Sequence, residues 1–156
     1  MKPNIILITT DQQRADTMGC MGNPVIKTPH LDSLAATGTL YTRGYSPAPL
    51  CVPARASLLT GLAPGRLEPE RPDRIDNGTT IDEGTDTVPS PLGGAGYTSQ
   101  AIGKMHFWPM GDPKGFGSQL LSEETRYFRF GERMGVSDTM DDYDRYLDEL
   151  GLLGYD

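Results

Sequence analysis

Asn4-Ile5-Ile6-Leu7-Ile8-Thr9-Thr10 is an uninterrupted run of apolar and β-branched residues near the start of the chain. Such a run is typical of a strand that is buried on both faces of a parallel sheet. Asp11 follows it directly, and ligands of open α/β sheets bind beyond the carboxyl ends of the strands. The segment therefore predicts an α/β fold and places Asp11 where a ligand binds.

The residues after this strand predict a helix and a second strand. Thr28 suits the N-cap of the helix, Pro29 its first position and Gly38 its end. Residues 40–45 could form the second strand.

Three further elements are predicted later in the chain. Residues 53–61 predict a short helix that starts at a proline and ends at a glycine, and residues 97–102 predict a strand. Residues 139–150 predict a helix whose acidic residues form a solvated face. The apolar residues of that helix recur at three- and four-residue spacing and predict its buried face: Met140, Tyr143, Leu147 and Leu150.

Length and composition limit the number of domains. The chain has 156 residues, which supports one domain over residues 1–156. Its 19 glycines and 13 prolines predict long loops, and the polar residues 67–96, whose last part is rich in both, are expected to be an extended loop. Two cysteines cannot build a disulfide framework, and Cys20 is expected to be a free thiol.

Charge and hydropathy exclude several classes of partner. The 14 basic and 21 acidic residues give a net charge of −7, which argues against a nucleic-acid partner because phosphate binding needs clustered Lys and Arg. The sequence contains no apolar stretch near the roughly 18 residues of a membrane span, so no membrane partner is expected. The apolar run at residues 5–8 is shorter than the hydrophobic region of a signal peptide, so a cytoplasmic location is expected.

Cys51 is the residue that carries most chemical information. It lies just before the helix predicted over 53–61, and Arg55 follows four residues later. A helix N-terminus and a nearby cation stabilise an anion, either a thiolate or a bound ligand. The bare residues are equally compatible with a small buried cysteine in a tight turn.

Sequence motifs around this cysteine resemble those of the sulfatase family, within the alkaline phosphatase superfamily. Cys51-Val-Pro-Ala-Arg55 with Leu59-Thr-Gly61 matches the signature of that family. The run from Asn4 to Asp11, the segment Thr28-Pro-His-Leu-Asp32, and Gly96-Tyr97 with Gly103-Lys-Met-His106 match other family segments in the same order. The resemblance implies an α/β fold, namely the N-terminal part of an alkaline-phosphatase-like sandwich with a central, mostly parallel sheet flanked by helices.

The resemblance also implies an unusual nucleophile. In this family a separate maturation enzyme oxidises the cysteine, here Cys51, to Cα-formylglycine. The hydrated aldehyde attacks the sulfur of a small sulfate ester with one hydroxyl, and its second hydroxyl then drives the elimination of sulfate. The implied function is that of a sulfuric ester hydrolase, and the alternatives are a phosphonate monoester or phosphodiester hydrolase with the same machinery and a non-catalytic remnant.

One divalent metal ion accompanies this nucleophile in the family. The resemblance assigns Asp11, Gln12 and the modified Cys51 as its ligands. Ca²⁺ is the expected metal, with Mn²⁺ and Mg²⁺ as alternatives, because oxygen ligands suit hard cations. Gln12 departs from most arylsulfatases, which have a second Asp there, and resembles the branch of choline sulfatases and phosphonate monoester hydrolases.

Three further residues acquire catalytic roles from the resemblance. Arg55 would hold the formylglycine hydroxyl, Lys104 would contact a sulfate oxygen, and His106 would be the base for the elimination. The ordinary alternatives are a helix cap for Asp11, a solvated charge for Lys104 and a loop histidine with satisfied hydrogen bonds for His106. His30 lies in the first turn of the predicted helix, where a capping or surface role is expected.

Members of the family are several hundred residues long, and their remaining metal ligands lie far downstream. The 156 residues are therefore expected to be the N-terminal third of a sulfatase that needs the missing C-terminal portion of the domain as its partner. Expected alternatives are a split protein and a truncated remnant. The isolated chain is expected to be inactive.

Overall fold

The computed structural model describes residues 2–123 and 140–152. The chain divides into two compact units, Met1–Tyr45 and Ser46–Asp156. The described residues form helices α1 (Pro29–Thr37), α2 (Cys51–Thr60), α3 (Pro89–Gly94) and α4 (Asp142–Glu149), strands β1 (Gln100–Gly103) and β2 (Ser118–Leu121), and 3₁₀ turns Ala15–Thr17, Gly19–Met21 and Pro64–Arg66. A single catalytic domain over 1–156 stays a prediction.

Helix α1 organises the first unit, and its predicted ends are confirmed, with Thr28 at the N-cap and Gly38 at the C-cap. The Thr28 hydroxyl does not cap the helix. It accepts a hydrogen bond from the Gly19 N–H at 2.8 Å and donates one to the Asp32 carboxylate at 2.9 Å. The same carboxylate accepts from the Cys20 N–H at 2.7 Å, so α1 is fastened to the 3₁₀ turn that precedes it.

The predicted strand at residues 4–10 is wrong for the described structure. These residues carry no strand, and Ile6 and Ile8 are 82% and 80% exposed. A doubly buried strand needs neighbouring strands and covering helices, and among the described residues the strand pairing is between β1 and β2. Residues 40–45, which could have formed a second strand, also have no strand structure for the same reason.

Helix α2 is the centre of the core of the second unit. It begins at Cys51, two residues before the predicted start, and the first turn tolerates Pro53 because the N–H groups of that turn have no partner within the helix. Gly61 ends it in the left-handed conformation (φ 71°), as glycine allows. The buried core cluster combines three residues of α2 with three from later segments: Val52, Ala56, Leu59, Leu67, Ile81 and Phe107.

The segment 67–96 contains a helix that the sequence did not predict. Its last part, expected to belong to an extended loop, forms the six-residue α3, with Pro89 at the first helical position. The Val88 N–H donates to the Leu59 carbonyl at 2.7 Å, which ties the start of α3 to the end of α2. Tertiary contact of this kind overrides the low helix propensity of proline and glycine. Residues 67–88 carry neither helix nor strand.

A parallel two-stranded sheet follows. The strand predicted over 97–102 is confirmed but shifted to β1, and the sequence did not predict β2. Gln100 pairs with Ser118 and Gly103 with Leu121 in a parallel register. A parallel pair flanked by helices agrees with the α/β class predicted from the sequence.

The helix predicted over 139–150 is shorter, and Thr139 lies outside the described residues. Its predicted buried face is wrong, since Tyr143 and Leu150 are about half exposed (48% and 53%). The buried residues are instead Asp141 and Asp144, which were expected on the solvated face. They form a capping box, because each accepts a hydrogen bond from the backbone N–H of the other. Within residues 2–123 and 140–152, no helix is long and apolar enough to cross a membrane.

Candidate active site

Cys51 is the first residue of α2 and is half-buried. The free N–H groups and the dipole of a helix N-terminus favour an anion at this position. The Val52 N–H next to it donates to the side-chain oxygen of Asn77 at 3.2 Å. Asn77 is a contact that the sequence analysis missed, because it lies 25 residues away in a segment without periodicity. Both cysteines of the chain, Cys20 and Cys51, are free.

Lys104 lies beside the cysteine. Its Nζ atom is 3.9 Å from Cys51 Sγ, although the two residues are 53 positions apart in the sequence. Lys104 follows directly after β1, so the strand delivers the ammonium group to the start of α2. An ammonium group at this distance compensates negative charge on whatever group occupies position 51.

Arg55 is one helical turn beyond Cys51 and contacts the same segment. Its Nη1 donates to the backbone carbonyl of Lys104 at 2.5 Å. The guanidinium therefore links α2 to the chain that leaves β1. The contact with the nucleophile that was expected for Arg55 stays a prediction.

His106 and Gln12 share an uncommon backbone conformation. Among the described residues, three that are not glycine have a left-handed φ: Gln12 (50°), His106 (64°) and Lys114 (45°). This region is sterically costly for side chains and is over-represented at functional sites. His106 is also buried, with 6% of its surface exposed. Two predicted site residues, Gln12 and His106, thus adopt a backbone conformation that costs free energy.

Glu123 is a site residue that the sequence analysis did not identify. Its carboxylate accepts the Met105 N–H at 3.0 Å and the His106 N–H at 2.8 and 3.1 Å. Burial raises the pKa of this carboxyl above its usual value, and the nearby Asp141 carboxylate adds to the rise. The two N–H groups and the nearby Arg55 guanidinium lower the pKa and so oppose the rise. The sequence offered no signal for Glu123, because β2, which brings it here, was not recognised.

The predicted metal ligands are not brought together into a cluster within one unit. Asp11 and Gln12 belong to the first unit, where both are exposed, and Cys51 belongs to the second. Over residues 2–123 and 140–152, no group of three or more His, Cys, Asp or Glu side chains is placed to hold a metal ion. A carboxylate and an amide oxygen have the right chemistry for a hard cation, but Ca²⁺ takes six to eight oxygens. These two oxygens alone would fill only part of such a coordination shell.

The remaining sequence expectations concern residues away from the cysteine. His30 is exposed, as predicted. Cys20 is half-buried in the 3₁₀ turn beside α1 and is a free thiol, as predicted.

Comparison with known proteins gives a consistent result. The sequence model described as Sulfatase matches residues 3–151. The chain is 36% identical over 150 residues to an arylsulfatase of Clostridium perfringens. This match covers 94% of this chain but 30% of that protein. It is 38% identical over 114 residues to the human N-acetylgalactosamine-6-sulfatase, a match that covers 67% of this chain and 22% of that protein. The chain thus spans less than a third of the length of these relatives.

A solved structure also resembles this chain. The phosphonate monoester hydrolase of Agrobacterium radiobacter superposes with a TM-score of 0.63 at 26% identity, covering 90% of this chain and 30% of that one. This likeness, together with the parallel pair β1–β2 flanked by helices, confirms the alkaline-phosphatase-like α/β fold expected from the sequence.

Proposed function

The chain belongs to the sulfatase family, and from that membership we propose that it carries the nucleophile and its immediate cationic partners for hydrolysis of a sulfate ester. The observation that carries this proposal is the 3.9 Å approach of Lys104 Nζ to Cys51 Sγ at the start of α2. Membership implies a divalent metal and a formylglycine for the family in general. Their presence in this chain is part of the proposal.

Cys51 is the proposed site of the modification. It is oxidised to formylglycine by a separate maturation enzyme, and the hydrated aldehyde supplies one hydroxyl to attack sulfur and another to release sulfate. The N-terminal turn of α2 supports this role, because its dipole stabilises negative charge at position 51. A sulfate monoester is an anion, so its bound sulfate group would carry the negative charge that the helix dipole stabilises.

Lys104 is the proposed electrostatic partner of the substrate. Its ammonium group, close to position 51, stabilises negative charge on a sulfate oxygen as the ester bond breaks. Arg55 supports this placement through its hydrogen bond to the Lys104 carbonyl. Lys104 therefore acts on position 51 directly, and Arg55 holds the segment that carries Lys104.

His106 is the proposed base. It follows Lys104 by two residues, is buried, and has a left-handed backbone held by the Glu123 carboxylate. In this role it takes the proton of the second hydroxyl while sulfate leaves.

Asp11 and Gln12 are proposed to hold a divalent cation together with the modified Cys51. Ca²⁺ is proposed first, with Mn²⁺ or Mg²⁺ as alternatives, since a carboxylate and an amide oxygen are hard ligands. The ion, when bound, neutralises charge on the ester oxygens. Because no group of three or more His, Cys, Asp or Glu side chains in residues 2–123 and 140–152 is placed to hold an ion, the proposal requires further oxygen ligands beside these three.

A second substrate class has support of its own. Gln12 stands where most arylsulfatases have an aspartate, and the amide lowers the negative charge of the metal site by one unit. The structural likeness to a phosphonate monoester hydrolase points the same way. A phosphonate monoester is therefore the alternative substrate to a sulfate ester.

The modification is tested by mass spectrometry of the tryptic peptide 44–55, which contains Cys51 between Arg43 and Arg55. Protein from the native host is expected to carry an aldehyde at position 51 that reacts with an aminooxy reagent. The same preparation is then assayed on an aryl sulfate and an aryl phosphonate monoester in parallel. A preparation that turns over either ester while holding only thiol at Cys51 would refute the proposal.

A further inference from the structure

We propose that Glu123 is a positioning residue of the site, whose carboxylate holds the turn Lys104–His106 through its backbone N–H groups and so keeps Lys104 next to Cys51. The expected effect of Glu123 on turnover rests on the proposed function. The hydrogen bonds by which Glu123 holds the turn are independent of that function.

The Glu123 carboxylate reaches two consecutive backbone donors. Oε1 accepts the Met105 N–H at 3.0 Å and the His106 N–H at 2.8 Å, and Oε2 accepts the His106 N–H at 3.1 Å. Glu123 is 17 positions from His106 in the sequence. The turn therefore depends on a tertiary contact.

These two donors need such an acceptor. His106 is buried, has a left-handed φ of 64° and lies outside the helices and strands, so no helix or strand ladder supplies an acceptor for its N–H. A buried N–H without an acceptor costs the desolvation of that group. The carboxylate satisfies both N–H groups and offsets the conformational cost of the turn.

Arg55 holds the same turn from the side of α2. Its Nη1 donates to the Lys104 carbonyl at 2.5 Å, one residue before the N–H groups that Glu123 accepts. A cation therefore holds a carbonyl of the turn, and an anion holds its N–H groups. Between these two contacts the Lys104 side chain extends to Cys51 Sγ at 3.9 Å.

Glu123 is itself fixed at the junction between β2 and α4. Its N–H donates to the carboxylate of Asp141, the buried N-cap of α4. The neighbouring Asp142 carboxylate accepts the Leu121 N–H at the end of β2 at 2.6 Å. A surface glutamate would lack these contacts, and the junction gives Glu123 a defined position from which to hold the turn.

The test compares Glu123→Ala, which removes the acceptor, with Glu123→Gln, which keeps one side-chain oxygen. Glu70→Ala is the control, since Glu70 is an exposed glutamate of the same unit. Amide hydrogen exchange of the full chain is measured first. Glu123→Ala is expected to speed exchange at Met105 and His106 about tenfold, while the amides of β1 stay unchanged. Glu123→Gln is expected to fall between Glu123→Ala and the parent.

Steady-state kinetics on an aryl sulfate, with formylglycine-bearing enzyme of natural length, give the second measurement. Glu123→Ala is expected to lower kcat about tenfold with KM within about twofold, and Glu123→Gln to recover part of kcat. Unchanged exchange at His106 would overturn the proposal. Faster exchange with unchanged kcat would also overturn it, by showing that Glu123 only stabilises the fold. A parent enzyme without turnover on any ester would refute the proposed function instead, and the exchange result would still decide whether Glu123 holds the turn.

Discussion

The segment 4–12 and the segment 51–61 both carry predicted site residues, yet their surroundings differ. In the first, Ile6 is 82% exposed and no strand forms. In the second, Ala56 is fully buried and α2 packs on residues distant in the sequence. The segment 51–61, which carries the predicted nucleophile Cys51, is therefore positioned by contacts within its own unit. The segment 4–12 carries the predicted metal ligands Asp11 and Gln12, and its apolar residues 5–8 are exposed and lack packing partners among the described residues.

The largest expected effect tests the role of Cys51. Cys51→Ser is expected to abolish multiple turnover in enzyme of natural length, because serine has one hydroxyl and cannot drive the elimination step. Steady-state assays on an aryl sulfate measure it. Cys20→Ser is the matched control, because Cys20 lies in the other unit, and it should keep the activity of the parent.

The contrast in packing predicts unequal losses of stability. Leu59→Ala, at a position 8% exposed in the core of the second unit, is expected to lower the free energy of unfolding by about 2–5 kcal/mol. Ile6→Ala, at an exposed position, is expected to change it by less than about 0.5 kcal/mol. Urea unfolding of the 156-residue chain compares the two. Equal losses would mean that the segment 4–12 is as well packed as α2.

Lys104 gives the next effect. Lys104→Ala is expected to lower kcat of formylglycine-bearing enzyme by about 10²-fold, as for the loss of one donor to developing negative charge. Lys27→Ala, which removes an exposed lysine of the first unit, is the control. A rise in KM alone would assign Lys104 to substrate binding and not to stabilisation of the transition state.

The end of α2 gives a smaller effect. Gly61 has a φ of 71°, which alanine adopts only with strain, so Gly61→Ala is expected to cost about 1 kcal/mol of stability. Gly44 has open space around it and no left-handed φ, and Gly44→Ala is the matched control. Thermal unfolding of the two variants makes the comparison. A larger loss for Gly44→Ala would be inconsistent with the described turn.

Metal binding gives the smallest expected signal. The 156-residue chain, with Asp11 and Gln12 as its predicted oxygen ligands, is expected to bind Ca²⁺ with a Kd of about 10⁻³ M or weaker. Asp11→Asn is expected to weaken the binding further, since it removes the charged ligand. Calorimetric titration measures both proteins. Tight stoichiometric binding by the chain would show that its residues form a complete site.

The sequence predicted the features that neighbouring residues determine, such as the ends of helices. The ends of α1 follow from the N-cap Thr28, Pro29 and Gly38, and the helix predicted over 53–61 is confirmed, although it begins two residues earlier, at Cys51. It could not predict contacts that join distant segments. Glu123 depends on β2, and the four-residue β2 has no alternating pattern to reveal it.

Two further errors share one physical cause. The periodic apolar residues of α4 predicted a buried face, yet its capping aspartates are the buried residues. Residues 4–10 have the composition of a buried strand but not its neighbours. In both cases the sequence pattern reports what an element can bury, and the packing partner decides what is buried.

The most direct test of the account uses Cys51→Ser in enzyme of natural length, incubated with an aryl sulfate and digested for mass spectrometry. The single hydroxyl can accept the sulfuryl group but cannot release it, so a sulfated adduct is expected in the peptide 44–55. The same variant incubated without ester should lack the adduct. Undiminished turnover, or substrate consumption with no adduct in that peptide, would contradict the assignment of position 51 as the nucleophile.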